Sequence, residues 1–380
     1  MKKFNLVLSS LTLVGLLSFG GCSDDKNSSS QITSSTISDK HTVTLVLNNG
    51  EANKTRSITH NQVMSEPIFE KQYYNNVGWY TDEACEAEMW NFAVDKVTED
   101  ITLYAKWEVN YEDWVWRLAR KASKSTIELF VEHFKDAEFK QPSIDAHAGF
   151  GSGVIIYKEV VSENESYYYA LTNNHVVSPS SEETKNMIKG LYTRITIYDH
   201  YLNPYTAELI ATRNDYDLAI VKFSTIADSY FDLPFGSMLH PEAVDKDTEI
   251  KVAEFAAEDP KKGDNVASYG SPLAQPHVCT IGKVGFYGGG SIYDNPNSVS
   301  NVHGKEVIHH TASILEGNSG GPLFGVDLKL VGINYGSSGS NDSDYKSDDF
   351  WAVPINLVRE FIDKHIVEPF GDTYAFLGDL

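Results

Sequence analysis

The sequence is poor in cysteine and in positive charge. Only three cysteines occur in 380 residues, and 31 Lys and Arg face 53 Asp and Glu, which gives a formal net charge of −22. So few cysteines exclude a disulfide-stapled scaffold, and we expect Cys85 and Cys279 to be small buried side chains that form no bridge. The negative charge disfavours binding to nucleic acid or to an anionic membrane surface through surface charge.

Long apolar runs and metal-binding spacings are also scarce. Beyond the first 22 residues, no stretch is long and apolar enough to span a membrane. No His-Glu-x-x-His or Cys-x-x-Cys spacing occurs, so the sequence predicts neither a metal nor a cofactor. The pair His309-His310 does not change this, because adjacent strand residues point to opposite faces. An apolar fraction of 41% in a chain of this length predicts two or three folded domains.

The first 22 residues have the pattern of a targeting segment. Lys2 and Lys3 precede an apolar stretch over 4–19, and Gly-Gly-Cys closes it at Cys22. This resembles a bacterial lipoprotein signal peptide, which implies cleavage after residue 21 and acylation of Cys22. Phe19 stands where such signals usually have leucine, so cleavage by the ordinary secretory route is the alternative. The resemblance predicts an extracytoplasmic protein, at the cell surface or in the periplasm, anchored to a membrane by lipid.

Two units follow before the main body of the chain. Residues 22–40 are rich in Ser, Thr, Asp and Asn, and their composition predicts a flexible tether. Residues 41–108 contain Gly-Trp-Tyr-Thr-Asp and Leu-Tyr-Ala-Lys-Trp, and they resemble the internalin-type B repeat, also called the Listeria/Bacteroides repeat. That resemblance implies a small β-grasp-like module with a spacer or adhesive role. Its Trp and Tyr side chains are expected to form its core.

One serine lies in a glycine-rich segment between two apolar runs. Residues 316–323 read Glu-Gly-Asn-Ser-Gly-Gly-Pro-Leu, with the serine at position 319. Glycine on both sides allows positive φ and a close approach to a substrate, so the N–H groups of Gly317 and Ser319 can converge on one point. Since glycine-rich turns are common, a nucleophilic Ser319 requires a base and an orienting acid elsewhere.

His175 is the candidate base and Asp217 the candidate acid. Residues 169–177 read Tyr-Ala-Leu-Thr-Asn-Asn-His-Val-Val, an apolar strand entering a polar turn, and of the 12 histidines only His175 has this setting. Residues 214–222 read Asn-Asp-Tyr-Asp-Leu-Ala-Ile-Val-Lys, where a carboxylate leads into an apolar strand. Asp215 is the alternative to Asp217. A neutral imidazole can take a serine proton near neutral pH, and a carboxylate can fix its tautomer.

Together these segments resemble the trypsin-like serine proteases, most closely the bacterial HtrA/DegP-type branch. That branch has Thr-Asn-x-His-Val, Asp-Leu-Ala and Gly-Asn-Ser-Gly-Gly-Pro in the order found here. The similarity extends over roughly 111–368 and includes Gly-Ser-Gly at 151–153 and Phe-Trp-Ala-Val-Pro-Ile-Asn at 350–356. It implies an all-β fold of two six-stranded antiparallel barrels with a closing C-terminal helix, over residues 109–380. The 61 residues after Ser319 suffice for the rest of the barrel and that helix, so we expect no PDZ domain.

The resemblance implies a serine endopeptidase that acts on protein or peptide substrates. His175, Asp217 and Ser319 would form its triad, and the N–H groups of Gly317 and Ser319 its oxyanion hole. Five residues are expected to line the primary specificity pocket, and the last four, which form one strand, are also expected to pair with the substrate backbone: Ser313, Val331, Gly332, Ile333 and Asn334. No acid stands at position 313, so we expect preference for a small or medium aliphatic residue before the scissile bond.

Two alternatives of different kinds remain open. In one, the barrels are a catalytically silent scaffold or adhesin that binds through the B-repeat-like module. In the other, the enzyme is active but cleaves only itself or one dedicated partner. An intact triad argues against the silent scaffold, because a scaffold has no need of all three residues.

Overall fold

The computed structural model describes residues 39–138, 149–163, 165–178, 182–224, 250–289, 305–337 and 349–380. The predicted leader, the predicted lipidation site Cys22 and most of the predicted tether lie outside these residues. Along the described chain, a four-stranded sheet is followed by two closed six-stranded barrels.

The first sheet is built by the segment that resembles a B repeat. The segment contains six strands, β1 (Lys40–Val46), β2 (Lys54–Thr59), β3 (Gln62–Val63), β4 (Tyr74–Tyr80), β5 (Lys96–Val97) and β6 (Ile101–Val109). Strands β3 and β5 pair as a separate two-stranded ribbon, and the other four form the sheet. The order is β2-β1-β6-β4, and β1 runs parallel to β6. Alternate residues face one side, where Leu45, Leu103 and Trp79 are buried in one core. Trp79 is therefore a core residue, as we expected for the Trp and Tyr side chains of this module.

Helix α1 (Tyr111–Arg120) connects this sheet to the barrels. Trp114 is fully buried and donates its indole N–H to the carbonyl of Gly325 at 3.3 Å. Arg117 donates to the carbonyl of Val326 at 2.9 Å. Because both acceptors belong to the second barrel, the helix is fixed against that barrel.

The first barrel carries the His175 and Asp217 segments. Its strands are β7 (Thr126–Phe134), β8 (Gly149–Val160), β9 (Ser166–Thr172), β10 (Tyr192–Tyr198), β11 (Pro204–Arg213) and β12 (Leu218–Ser224). They close in the order β10-β11-β12-β9-β8-β7, and two short helices, α2 (Asn174–Val177) and α3 (Glu182–Met187), follow β9. Apolar side chains such as Leu129, Ile155 and Val221 fill the interior.

The second barrel carries the Ser319 segment. Its strands are β13 (Asn265–Gly270), β14 (Val278–Gly289), β15 (Glu306–His310), β16 (Pro322–Phe324), β17 (Leu330–Ser337) and β18 (Phe350–Pro354). They close in the order β13-β14-β15-β18-β17-β16. Helix α4 (Ile355–Ile362) follows β18, continues as a π-helical turn (Asp363–Val367) and leads into α5 (Glu368–Phe370). The predicted all-β double barrel with a closing helix is confirmed.

The two barrels share one apolar core. Leu171 and Ile220 of the first barrel belong to the same buried cluster as Tyr269 and Ile333 of the second, and Phe361 of α4 completes it. Burial of the apolar surface between the barrels stabilises their association by about 25 cal/mol for each Å² of apolar area removed from water. The segments that carry His175, Asp217 and Ser319 meet along this seam.

Two further expectations concern the cysteines and the membrane. Cys85 and Cys279 are both free thiols, Cys85 buried and Cys279 half-buried, so they form no bridge with each other. Among the helices of the described ranges, none combines the length and the apolar character that crossing a membrane requires.

Candidate active site

The imidazole of His175 is held by the Asp217 carboxylate. His175 begins the first turn of α2, and Asp217 ends the turn that precedes β12. Nδ1 of His175 lies 2.8 Å from Oδ2 of Asp217, and the His175 backbone N–H donates to Oδ1 at 3.0 Å. Asn173 adds a third contact, since its side-chain amide donates to the Asp217 carbonyl at 2.8 Å. The carboxylate therefore fixes both the ring and the backbone of His175.

This pair is electrostatically coupled. The Asp217 side chain is fully buried, whereas 23% of the His175 side chain is exposed. Burial by itself would lower the pKa of His175, but the charge and the hydrogen bond of Asp217 act in the opposite direction and the net pKa is raised. Asp217 also adopts a positive φ of 49°, a conformation that non-glycine residues seldom adopt and that clusters at functional sites.

Asp215, the alternative acid, has a different partner. Its carboxylate pairs with Arg213, with a distance of 2.9 Å from Nε to Oδ1, and both side chains are more than 40% exposed. Asp215 therefore lies on the surface of the turn, and only Asp217 of the two contacts His175.

The Ser319 loop is folded by bonds within itself and to both barrels. The Asn318 N–H donates to the Leu315 carbonyl at 3.0 Å, and the Gly320 N–H donates to the Asn334 carbonyl at 2.8 Å. Gly320 has φ of 85°, and a Cβ there would lie 2.3 Å from Thr172 Oγ1 and 2.9 Å from the Asn173 nitrogen. The loop therefore packs directly on the end of β9, three residues before His175.

The Ser319 loop and the segment that leads to His175 are in contact at this seam, without a hydrogen bond between the two side chains. Among the hydrogen bonds of the described residues, none joins the Ser319 hydroxyl to the His175 ring. Such bonds are often long in ligand-free sites and shorten only when substrate is bound.

Two backbone N–H groups beside Ser319 are available as donors. Gly317 has φ of 100°, and its turn leaves the N–H groups of Gly317 and Ser319 without a protein acceptor in the described part of the chain. Unpaired amides at a half-buried turn are suited to a negatively charged oxygen. This arrangement is compatible with the oxyanion role predicted for both residues, which stays a prediction.

The pocket prediction is wrong for Val331, Gly332 and Ile333. The side chains of Val331 and Ile333 are 6% and 0% exposed and pack in apolar cores. The segment pairs with β16 through Ile333↔Pro322 and with β18 through Ile333↔Val353, so both of its edges are occupied. A substrate strand cannot pair there. Ser313, in contrast, is exposed, and its carbonyl accepts a hydrogen bond of 2.6 Å from Thr280.

The unoccupied edge of β17 lies further along the strand. Residues 335–337 continue to pair with β18 through Gly336↔Trp351 and Ser337↔Phe350, but the three-residue strand β16 has already ended. In the described part of the barrel, no strand pairs with the other side of residues 335–337. The free edge of β17 therefore lies at residues 335–337, beyond the residues 331–334 that the sequence had indicated.

Asn334 is a site residue whose own role the sequence did not predict. Its side chain is fully buried, and its amide donates to Ser268 Oγ at 3.0 Å and to the carbonyls of Gly321 and Pro322 at 3.1 and 3.0 Å. Its own carbonyl receives the Gly320 N–H. Asn334 thus fastens the Ser319 loop to β17. The sequence feature that could have indicated this role is the position of Asn334 directly after the apolar run Leu-Val-Gly-Ile at 330–333.

The histidine pair near the site does not form a metal centre. Within the described ranges, no group of three or more His, Cys, Asp or Glu side chains is arranged to hold a metal ion. His309 stacks on Phe286 with ring centroids 4.0 Å apart and contacts Asp349 through Nδ1 at 2.8 Å. His310 points the other way into the barrel, is 1% exposed, and has no well-formed hydrogen bond on either ring nitrogen.

Two closed antiparallel barrels define the trypsin-like class of fold, and the His175–Asp217 pair and the glycine turn of Ser319 lie at the seam between them. Residues 151–333 match the family model described as a trypsin-like peptidase domain. Residues 41–106 match the Listeria-Bacteroides repeat domain. The chain thus contains both domains that its motifs resembled.

The relatives of this chain include serine proteases of more than one type. The chain is 30% identical over 246 residues to the serine protease Do-like HtrA of Bacillus subtilis, covering 64% of this chain and 44% of that protein. A probable periplasmic serine endoprotease DegP-like of Hahella chejuensis is 30% identical over 241 residues, covering 63% and 40%. A glutamyl endopeptidase of Staphylococcus epidermidis is 27% identical over 240 residues, covering 62% and 68%. The chain is therefore similar to HtrA/DegP-type serine proteases over about two thirds of its own length, and it spans less than half the length of the first two relatives.

Proposed function

We propose that the protein is a lipid-anchored, extracytoplasmic serine endopeptidase. The observation that carries the proposal is the 2.8 Å contact between His175 and the buried Asp217, beside a glycine turn with two unpaired N–H groups. The homology to HtrA/DegP-type proteases supports the same activity.

Each residue of the proposed site has a separate role in the reaction. Ser319 Oγ attacks the carbonyl carbon of the scissile peptide while Nε2 of His175 accepts the hydroxyl proton. Asp217 holds Nδ1 protonated and stabilises the imidazolium without taking the proton itself. The N–H groups of Gly317 and Ser319 stabilise the oxyanion of the tetrahedral intermediate. His175 then protonates the leaving amine as the C–N bond breaks, and water hydrolyses the acyl-enzyme by the same steps.

The substrate is expected to bind as an extended strand along residues 335–337, the unoccupied edge of β17. Its side chain before the scissile bond would lie near Ser313, which carries no charge. We therefore retain the expectation of a small or medium aliphatic residue at that position.

A peptide library digested by the purified protein tests this function. We expect cleavage after Ala, Val or Leu, and loss of cleavage in Ser319→Ala. Ser125→Ala is the matched control, because Ser125 is buried and donates to the Ala122 carbonyl within a distant 3-10 turn. Cleavage after Arg, Lys or Glu would contradict the proposed specificity. A folded wild-type protein that cleaves nothing would favour the silent scaffold.

The location rests on the leader and on the relatives. The lipoprotein-like pattern ending at Cys22 predicts a lipid anchor, and a relative described as periplasmic agrees with an extracytoplasmic site. Metabolic labelling with a fatty acid analogue should modify the wild-type protein and leave Cys22→Ala unmodified. Labelling of neither protein would contradict the anchor.

A further inference from the structure

Ser152 is a buried hydroxyl of the first barrel that contacts the Ser319 loop of the second. The residue is 0% exposed. Its hydroxyl donates to the carbonyl of Gly317 at 2.7 Å and accepts the N–H of Ser271 at 3.0 Å. Its backbone N–H donates to the carbonyl of Ser319 at 2.8 Å. One side chain and its own amide thus make three hydrogen bonds across the seam between the barrels.

Ser152 is itself held tightly in place. Thr172, the last residue of β9, donates its hydroxyl to the Ser152 carbonyl at 2.8 Å. Two glycines bring the opposing backbone close: a Cβ at Gly270 would lie 2.9 Å from Ser152 Oγ, and a Cβ at Gly321 would lie 3.1 Å from Ser152 Cβ. The hydroxyl is therefore a fixed point in the seam.

The bonds to Ser152 determine how the glycine turn is oriented. A peptide group is planar, so holding its carbonyl oxygen also fixes the direction of the attached N–H. The Glu316 carbonyl is held by the Leu273 N–H at 2.8 Å, which orients the N–H of Gly317. The Gly317 carbonyl, held by Ser152, belongs to the peptide that carries the Asn318 N–H, and this peptide lies between the two donor N–H groups of Gly317 and Ser319. Because Gly317 has no Cβ, it is the residue of this turn with the greatest conformational freedom.

We propose that Ser152 is a positioning residue for the oxyanion hole, through which the first barrel holds the peptide between the two donor N–H groups of the second and so keeps both donors in place. The inference rests on the proposed protease function. It assigns no contact with substrate to Ser152. It predicts that the hydroxyl acts on the transition state and leaves substrate binding unchanged.

Kinetics of Ser152→Ala test the proposal, because this change removes the hydroxyl and keeps the backbone bond to Ser319. We expect kcat on a peptide substrate to fall roughly 10- to 100-fold, as for a small displacement of catalytic groups, with KM within about twofold. Affinity for a peptide boronate, whose tetrahedral adduct occupies the oxyanion hole, should fall by a similar factor. Ser125→Ala, which removes another buried hydroxyl, should retain wild-type kcat.

Several outcomes would overturn the inference. Wild-type kcat in Ser152→Ala would do so, as would a raised KM with unchanged kcat. If Ser152→Ala does not fold, Ser152→Cys takes its place, since a thiol is a weak donor of similar size; lowered kcat at constant KM supports the inference, and wild-type kcat refutes it. An inactive wild-type protein whose Ser319 does not react with a fluorophosphonate would instead refute the protease function, and this inference with it.

Discussion

Replacing Asp217 by Asn removes the charge behind His175 and keeps the size of the side chain. The amide oxygen can still accept the His175 backbone N–H, which lies 3.0 Å from Oδ1. The amide NH₂ then occupies the position of Oδ2, 2.8 Å from Nδ1 of the ring. Because NH₂ only donates, Nδ1 must become an acceptor, and the proton of the neutral ring moves to Nε2. In that tautomer the ring cannot accept the proton of a serine hydroxyl.

The expected loss is large, since base catalysis stops while the oxyanion donors remain. We expect kcat to fall by about 10⁴, which corresponds to about 5.5 kcal/mol in activation free energy. KM should change little, because Asp217 is fully buried and does not contact substrate. Steady-state hydrolysis of the best library peptide, with thermal unfolding to verify the fold, measures both quantities.

Asp215→Asn is the matched control for this change. Asp215 lies two residues away, pairs with Arg213 on the surface and does not contact His175. Its kcat should equal that of the wild type, since exposed ion pairs contribute about 0–1 kcal/mol. Equal activity of Asp217→Asn and wild type, or a large loss only in Asp215→Asn, would refute the assignment.

Three further predictions concern the glycine turn and the two kinds of histidine. Gly317→Ala should lower kcat at least tenfold, because its φ is 100° and the new Cβ would lie 2.5 Å from the Ser271 carbonyl oxygen; unchanged kcat would contradict the role of this turn. Since Asp217 raises the pKa of His175 above its ordinary value of 6.5, kcat/KM should rise with pH through that higher pKa, and a profile with its midpoint below 6.5 would contradict the coupling. Burial lowers the pKa of His310 to about 4, and Asn334 and Asp349 offset only part of this effect. As pH falls from 6.5 to 4, His310 is therefore protonated in the unfolded chain before it is protonated in the folded protein, which lowers the free energy of unfolding by about 3 kcal/mol. Urea unfolding should show that His310→Leu loses less stability than the wild type over this pH range. An equal loss in both proteins would refute the role of His310.

Most of the fold was predictable because the sequence contains the motifs of a known protease family in the same order as that family. The two six-stranded barrels and the helix that follows the last strand are the architecture that the resemblance implied. The contact between the His175 and Asp217 side chains also agrees with the motifs, although their catalytic role stays a prediction. These features depend on short stretches of sequence, and short stretches carry the strand and turn signals.

The position of the unpaired edge of β17 was not predictable in the same way. Whether residues 331–333 or 335–337 are free depends on where β16 ends, and that strand pairs with β17 only up to Ile333. Strand register is a property of the assembled sheet, and alternation of apolar residues does not specify which edge stays open. The bridging role of Ser152 was hidden for a similar reason, because its partners Gly317 and Ser271 are distant in the chain.

The central claim is that His175 activates Ser319 as a nucleophile. The most direct measurement is covalent labelling of the purified protein by a fluorophosphonate, with the modified residue identified by mass spectrometry. We predict labelling of Ser319 in the wild type and none in Ser319→Ala or His175→Ala, each verified as folded. Absence of labelling in the folded wild type, or labelling that persists without His175, would contradict the account.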